Sequence, residues 1–195
     1  NMRTNRTNAL GGFSAGSYGM AYILVSTSSA VNNTGSGYAV IMGGGTNNNM
    51  SLINFNNGIQ GTRTTVIAFG NTPANTTNYI SVKVTYDPST NSWELFSRDD
   101  GASAFADPAL GSFTQIGSPT TNSTYTGTAM SFSGTYWQGS TTATQTAFFD
   151  NVKCVVAPGA LTPPTLTAAG GATVDAAFNV TFADDATWRA AITSI

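Results

Sequence analysis

The stretch NYISVKVTYDPSTNSWELF, Asn78–Phe96, decides how the rest of the chain is read. Ile80, Val82, Val84 and Tyr86 alternate with Ser81, Lys83 and Thr85. Successive side chains of a strand point to opposite faces, so this pattern predicts a half-buried strand, apolar inward and polar outward. DPSTN supplies a bend. Pro88 fixes its own φ, and Asp87 can accept a hydrogen bond from the backbone just ahead of it. SWELF then returns. An indole buries so much area that Trp93, just past the bend, is expected in a core between two sheets.

Similar runs recur on both sides of this hairpin, with turn residues between them. YGMAYILVST, GYAVIMGGG, NMSLINFNNG and TRTTVIAFG precede it; TAMSFSGTYW and TQTAFFDNVKCVV follow. They predict eight to ten strands before Val156, at the spacing of a sandwich. Each apolar face needs a partner, so the strands are expected to form two stacked antiparallel sheets. Composition agrees. The 195 residues include 31 Thr, 19 Ser and 18 Asn but only seven Leu and one Glu. Threonine and aromatic residues fit pleated strands, whereas leucine and glutamate favour helices.

After Val156 the character changes. Residues 157–172 are rich in Pro, Ala and Gly, with Pro163 and Pro164 adjacent, and read as a stiff linker. Residues 173–195 read as the incomplete beginning of a second domain. FNVTF alternates like a strand. ADDATWRAAI predicts a short helix capped by Asp184 or Asp185, with Trp188 and Ile192 on one side. The chain is expected to be an internal piece of a longer polypeptide.

Charged residues make up only 8%, with seven cations spread along the chain and a net charge of −2. There is no basic stripe for nucleic acid. No apolar run approaches the ~20 residues of a membrane helix. Cys154 is alone, so no internal disulfide forms, and its apolar surroundings predict a buried thiol.

GYAVIMGGG, YISVKVTYDPSTNSWELF, GTYWQGS and AFFDNVK occur in that order. Over roughly Gly11–Val156 the chain resembles the concanavalin A-like, laminin-G-like jelly-roll domains of large secreted surface proteins of Bacteroidetes-type bacteria. The tail from PPTLTAAGG onward is similar to the opening of a small bacterial surface domain. The resemblance implies a two-sheet jelly roll, often with structural calcium and sometimes a bound sugar. It also implies export to the bacterial cell surface, with type IX secretion as the route.

Histidine is absent, which removes Ser-His-Asp and Cys-His catalysis within the chain. Glycoside hydrolysis needs two carboxyl groups flanking the bond. Glu94 is the only glutamate, and Ser92 and Phe96 are its neighbours at two-residue steps. The chain is therefore expected not to be an enzyme. Calcium takes oxygen ligands, which makes Asp99, Asp100, Asp107 and Asp150 candidates. RDDGAS, which holds the first two, reads as a loop tip. Asp150 stands out, because alternation places it with Phe148, Val152 and Cys154 on an apolar face. A buried carboxylate there would need hydrogen bonds or a metal. For glycan binding, rings and amides are the expected tools. Tyr136, Trp137 and Gln138 in GTYWQGS supply both, and alternation turns the two rings away from each other. Two readings follow: an adhesive module that binds glycan or a surface protein, or a structural spacer beside neighbouring domains of the same longer chain.

Overall fold

The hairpin at Asn78–Phe96 forms as its alternation requires. Strand β6 (Tyr79–Asp87) pairs antiparallel with β7 (Ser92–Gly101), and Asp87↔Ser92 closes a four-residue loop. The Asp87 carboxylate accepts from the Ser89 N–H at 2.9 Å, and Asn91 takes a left-handed φ of 54°. Ser89 and Thr90 hydroxyls donate to the same carboxylate and tighten the bend.

In the computed structural model the described residues are 1–4, 13, 19–42, 50–68, 78–139 and 147–155, together with two short strands beyond them. The remaining strands are β1 (Met2–Thr4), β2 (Gly19–Ser26), β3 (Ser36–Met42), β4 (Met50–Asn56), β5 (Thr62–Ala68), β8 (Thr114–Thr121), β9 (Phe132–Gln138) and β10 (Ala147–Phe149). They form two antiparallel five-stranded sheets packed face to face, a jelly-roll β-sandwich. One sheet has the order β10-β1-β6-β7-β8 and the other β5-β4-β3-β2-β9. No described residue is helical.

The chain divides into two units, Asn1–Lys153 and Cys154–Ile195. In the second, β11 (Thr173–Val174) pairs with β12 (Val180–Thr181), the latter inside the expected FNVTF strand. The expected linker at 157–172 and the expected ADDATWRAAI helix lie outside the described residues.

Between the sheets, Met2, Ile80, Trp93, Leu95 and Ile116 of one meet Met20, Tyr38, Val40, Met42, Met50, Leu52, Val66 and Ile67 of the other. Fully burying an aliphatic side chain of this size contributes roughly 1.5–3 kcal/mol. Val66 and Ile67 are consecutive yet share the cluster, because a bulge in the β4–β5 ladder after Leu52 shifts the register.

Trp93 is 5% exposed, as expected of a core residue. Its ring lies 4.4 Å from both Tyr38 and Tyr86, and its Nε1–H donates to the Asn122 carbonyl at 3.0 Å. The Asn122 side chain accepts the Tyr38 hydroxyl at 2.7 Å.

A second apolar cluster, not foreseen from the sequence, lies on the outer face of the β3-centred sheet. Ala21, Ile23, Ala39, Ile41, Ile53 and Phe55 are covered there by Phe13 and Ile59. This buries β3 on both faces, which explains why GYAVIM shows no polar alternation. The close approach leaves no room at Gly37, where a Cβ would stand 2.0 Å from the Val25 carbonyl oxygen.

Candidate ligand-recognition site

Strand β9 pairs with β2 so that Trp137 lies opposite Met20 and Tyr136 opposite Ala21. Met20 faces the inter-sheet core and Ala21 the outer cluster. The rings of Tyr136 and Trp137 therefore point to opposite faces, as alternation requires. Trp137 is half-buried against the core and stands apart from the other two candidates. Tyr136 and Gln138 share the outer face.

On that face the structure adds a residue. Gln60 Nε2 donates to the Tyr136 hydroxyl at 3.0 Å and to Gln138 Oε1 at 3.1 Å. The Tyr136 hydroxyl lies 3.3 Å from the same Oε1. Phe13 flanks the Tyr136 ring, with centroids 5.9 Å apart. The result is an aromatic ring edged by two amides at the protein surface.

Gln60 reaches this place through backbone geometry. It follows NNG, where Asn57 and Gly58 have φ of 57° and 80° and turn the chain sharply. The turn is then fastened to the loop after β2. Gly58 N donates to Gly35 O at 2.8 Å, Ile59 N to Val31 O at 2.7 Å and Gln60 N to Asn32 O at 3.1 Å. The sequence shows the NNG bend, but nothing in it signals a contact 76 residues away.

Asp150 is exposed, which corrects the premise that marked it as a metal ligand. Strand β10 ends at Phe149, and Asn151 turns the chain with φ of 50°. Phe148 pairs with Arg3 and is 41% exposed, and Val152 is 58% exposed, so this face meets solvent. The Asp150 carboxylate accepts from the Asn151 N–H at 2.8 Å, and the unpaired buried charge that called for a metal does not arise. Cys154 is likewise exposed rather than buried.

The other acids are engaged locally. RDDGAS does not open as a loop tip, because β7 continues through Gly101. The Asp100 side chain is 1% exposed and pairs with Arg98 at 2.6 Å, accepting also from the Ser81 hydroxyl at 2.6 Å. Asp99 accepts twice from Asn78, and Asp107 accepts from the Ala109 N–H. Among the described residues no three of His, Cys, Asp and Glu gather to hold a metal ion. Backbone carbonyls, which calcium also takes, are a separate donor class. Glu94 is flanked by the Thr85 hydroxyl at 2.8 Å and the Gln115 amide at 3.5 Å.

Comparison with family models, curated proteins and solved structures finds no match to this chain.

Proposed function

We propose that this chain is a non-catalytic binding module of a large secreted bacterial surface protein, with adhesion to glycan as its role. The observation that carries the reading is the Tyr136–Gln138–Gln60 cluster. A sugar offers an apolar ring face and a rim of hydroxyls, and a phenol beside amides complements both. Bonds within the cluster use the amide nitrogen of Gln60, which leaves its Oε1 for a hydroxyl donor. Glu94 is the only glutamate of the chain, with Ser92 and Phe96 at two-residue steps, which supports a role without bond cleavage. A surface protein is the alternative partner. Structural calcium enters this proposal through the family resemblance.

A spacer role is the second reading. It is favoured by the way the cluster closes on itself and packs on Phe13, which is 1% exposed.

A glycan-array screen of the folded chain, with and without calcium, tests between them. Binding that is lost in Gln60→Ala and Tyr136→Ala is expected. Absence of any glycan hit, in either condition, would leave the spacer reading.

A further inference from the structure

Charge is divided unevenly between the two sheets. Residues 1–86 contain no Asp or Glu. Strands β2, β3, β4 and β5 fall within them, and β9 carries no acid either. The six carboxylates of residues 1–153 are Asp87, Glu94, Asp99, Asp100, Asp107 and Asp150. They sit on β6 and β7 or in the segments that follow β7 and β10. The sheet that carries Tyr136 and Gln138 therefore has one charged side chain in its strands, Arg63 of β5. No carboxylate on its own sheet offsets that cation.

Two contacts tie Arg63 to the recognition site. Its Nη1 donates to the backbone carbonyls of Ile59 at 2.5 Å and Gly61 at 3.4 Å, the residues that flank Gln60. Its guanidinium carbon stands 5.5 Å from the centroid of the Phe13 ring, the same ring that flanks Tyr136 at 5.9 Å. Arg63 itself is exposed. The tether uses a single nitrogen. The opposite edge of the guanidinium, Nε and Nη2, makes no hydrogen bond and no ion pair among the described residues. Holding the turn needs one donor, and a lysine ammonium would supply it. The planar fork offers more. Its two parallel N–H groups on one edge match the two oxygens of a carboxylate.

We propose that Arg63 makes this site selective for acidic glycans, with the ligand's carboxylate taken side-on by Nε and Nη2. The inference rests on the glycan reading and names the class of sugar. One sugar ring lies against Tyr136, a hydroxyl donates to Gln60 Oε1, and the carboxylate of a uronic or sialic acid reaches Arg63. A neutral sugar leaves the guanidinium in water and gains nothing from it. An acidic one exchanges that water for a bidentate, charge-assisted pair. Nothing on the same sheet repels the ligand's own charge. The strand acids of the facing sheet, Glu94, Asp99 and Asp100, belong to the other layer of the sandwich. Packed sheets stand about 10 Å apart, beyond the screening length of about 8 Å at physiological salt.

The test uses galacturonate and mannuronate oligosaccharides and sialyllactose, each beside its methyl ester, which keeps the sugar and removes the charge. Isothermal titration compares the parent chain with Arg63→Gln and Arg63→Lys. The parent is expected to bind at least one acid about tenfold more tightly than its ester, by a margin that shrinks as salt is added. Arg63→Gln should erase the margin and leave ester affinity in place. Arg63→Lys keeps the charge and a donor for the turn but loses the fork, and should retain only part of the margin. Ester affinity reports whether Gln60 is still held. Equal loss of acid and ester binding in both variants would therefore reduce Arg63 to a positioning residue and overturn the proposal. Tyr136-dependent binding of neutral glycans that ignores Arg63 would overturn it too, while sparing the glycan reading. A chain that binds neither neutral nor acidic glycans would end both.

Discussion

Truncation of Trp93 tests whether the hairpin holds the sandwich together. An indole buries about 150–250 Å². At about 25 cal/mol per Å² that sets an upper value of roughly 4–6 kcal/mol, since the unfolded chain already covers part of the area. The ring is 5% exposed and sandwiched between Tyr38 and Tyr86. Alanine there leaves a cavity that two stacked rings cannot easily close. It also removes the donor to the Asn122 carbonyl, a net loss of about 1 kcal/mol. Trp93→Ala should therefore destabilise the fold by ~3–5 kcal/mol, in the range of other large aromatic truncations. For a domain of this size that lowers Tm by about 6–20 °C. Trp93→Phe keeps a ring in the stack and should lose roughly half as much, chiefly by leaving the Asn122 carbonyl without its donor. Calorimetry and urea unfolding of the three proteins measure both steps. A Tm for Trp93→Ala within about 2 °C of the parent would refute the argument that this ring is central to the core.

Arg98→Met should cost ~3 kcal/mol by urea unfolding, because it strands Asp100, whose side chain is 1% exposed; restoring neutrality with Asp100→Asn should recover part of it. Ser89 and Thr90 hold the Asp87 carboxyl below its ordinary value of 3.8, the Ser89 hydroxyl contributing most. A depressed folded-state value means that its stabilisation is complete above about pH 3.8 and is lost as pH falls through the depressed value. An NMR titration midpoint for Asp87 at or above 3.8 would contradict these contacts. Asp150→Asn should leave Tm unchanged both in calcium and in chelator, as for an exposed position; a calcium-dependent difference from the parent would place an ion at that carboxylate.

Local alternation made much of the fold legible. The faces of Ile80, Val82, Val84 and Tyr86, the forward hydrogen bond of Asp87 and the opposed rings of Tyr136 and Trp137 all depend on a period of two and on nearby turn chemistry. Strand β8 escaped that reading for a physical reason. TQIGSPTT buries only Ile116 and carries Gly117 with φ of 64° and Pro119. Both residues weaken a strand signal, and both are tolerated because β8 lies at a sheet edge. Strand β1 escaped because three residues are too few to show a period.

What alternation cannot supply is the depth of a face, which depends on which strand lies alongside. Asp150, Val152 and Cys154 share the parity of Phe148, and an apolar run of that parity looks like core. Its real position was set at a distance. Phe148 sits opposite Arg3, and the Arg3 guanidinium lies 5.5 Å from its ring on the outer surface. The same dependence operates along β6. Ile80, Val82, Val84 and Tyr86 have one parity and one chemistry, yet Ile80, opposite Met2 of β1, is 3% exposed and Tyr86 is 37% exposed. Gln60 joins Tyr136 by the same route, through the loop pairing of Gly58 and Ile59 with Gly35 and Val31. Side-chain parity is therefore a property of the segment, whereas burial and site assembly are properties of strand neighbours.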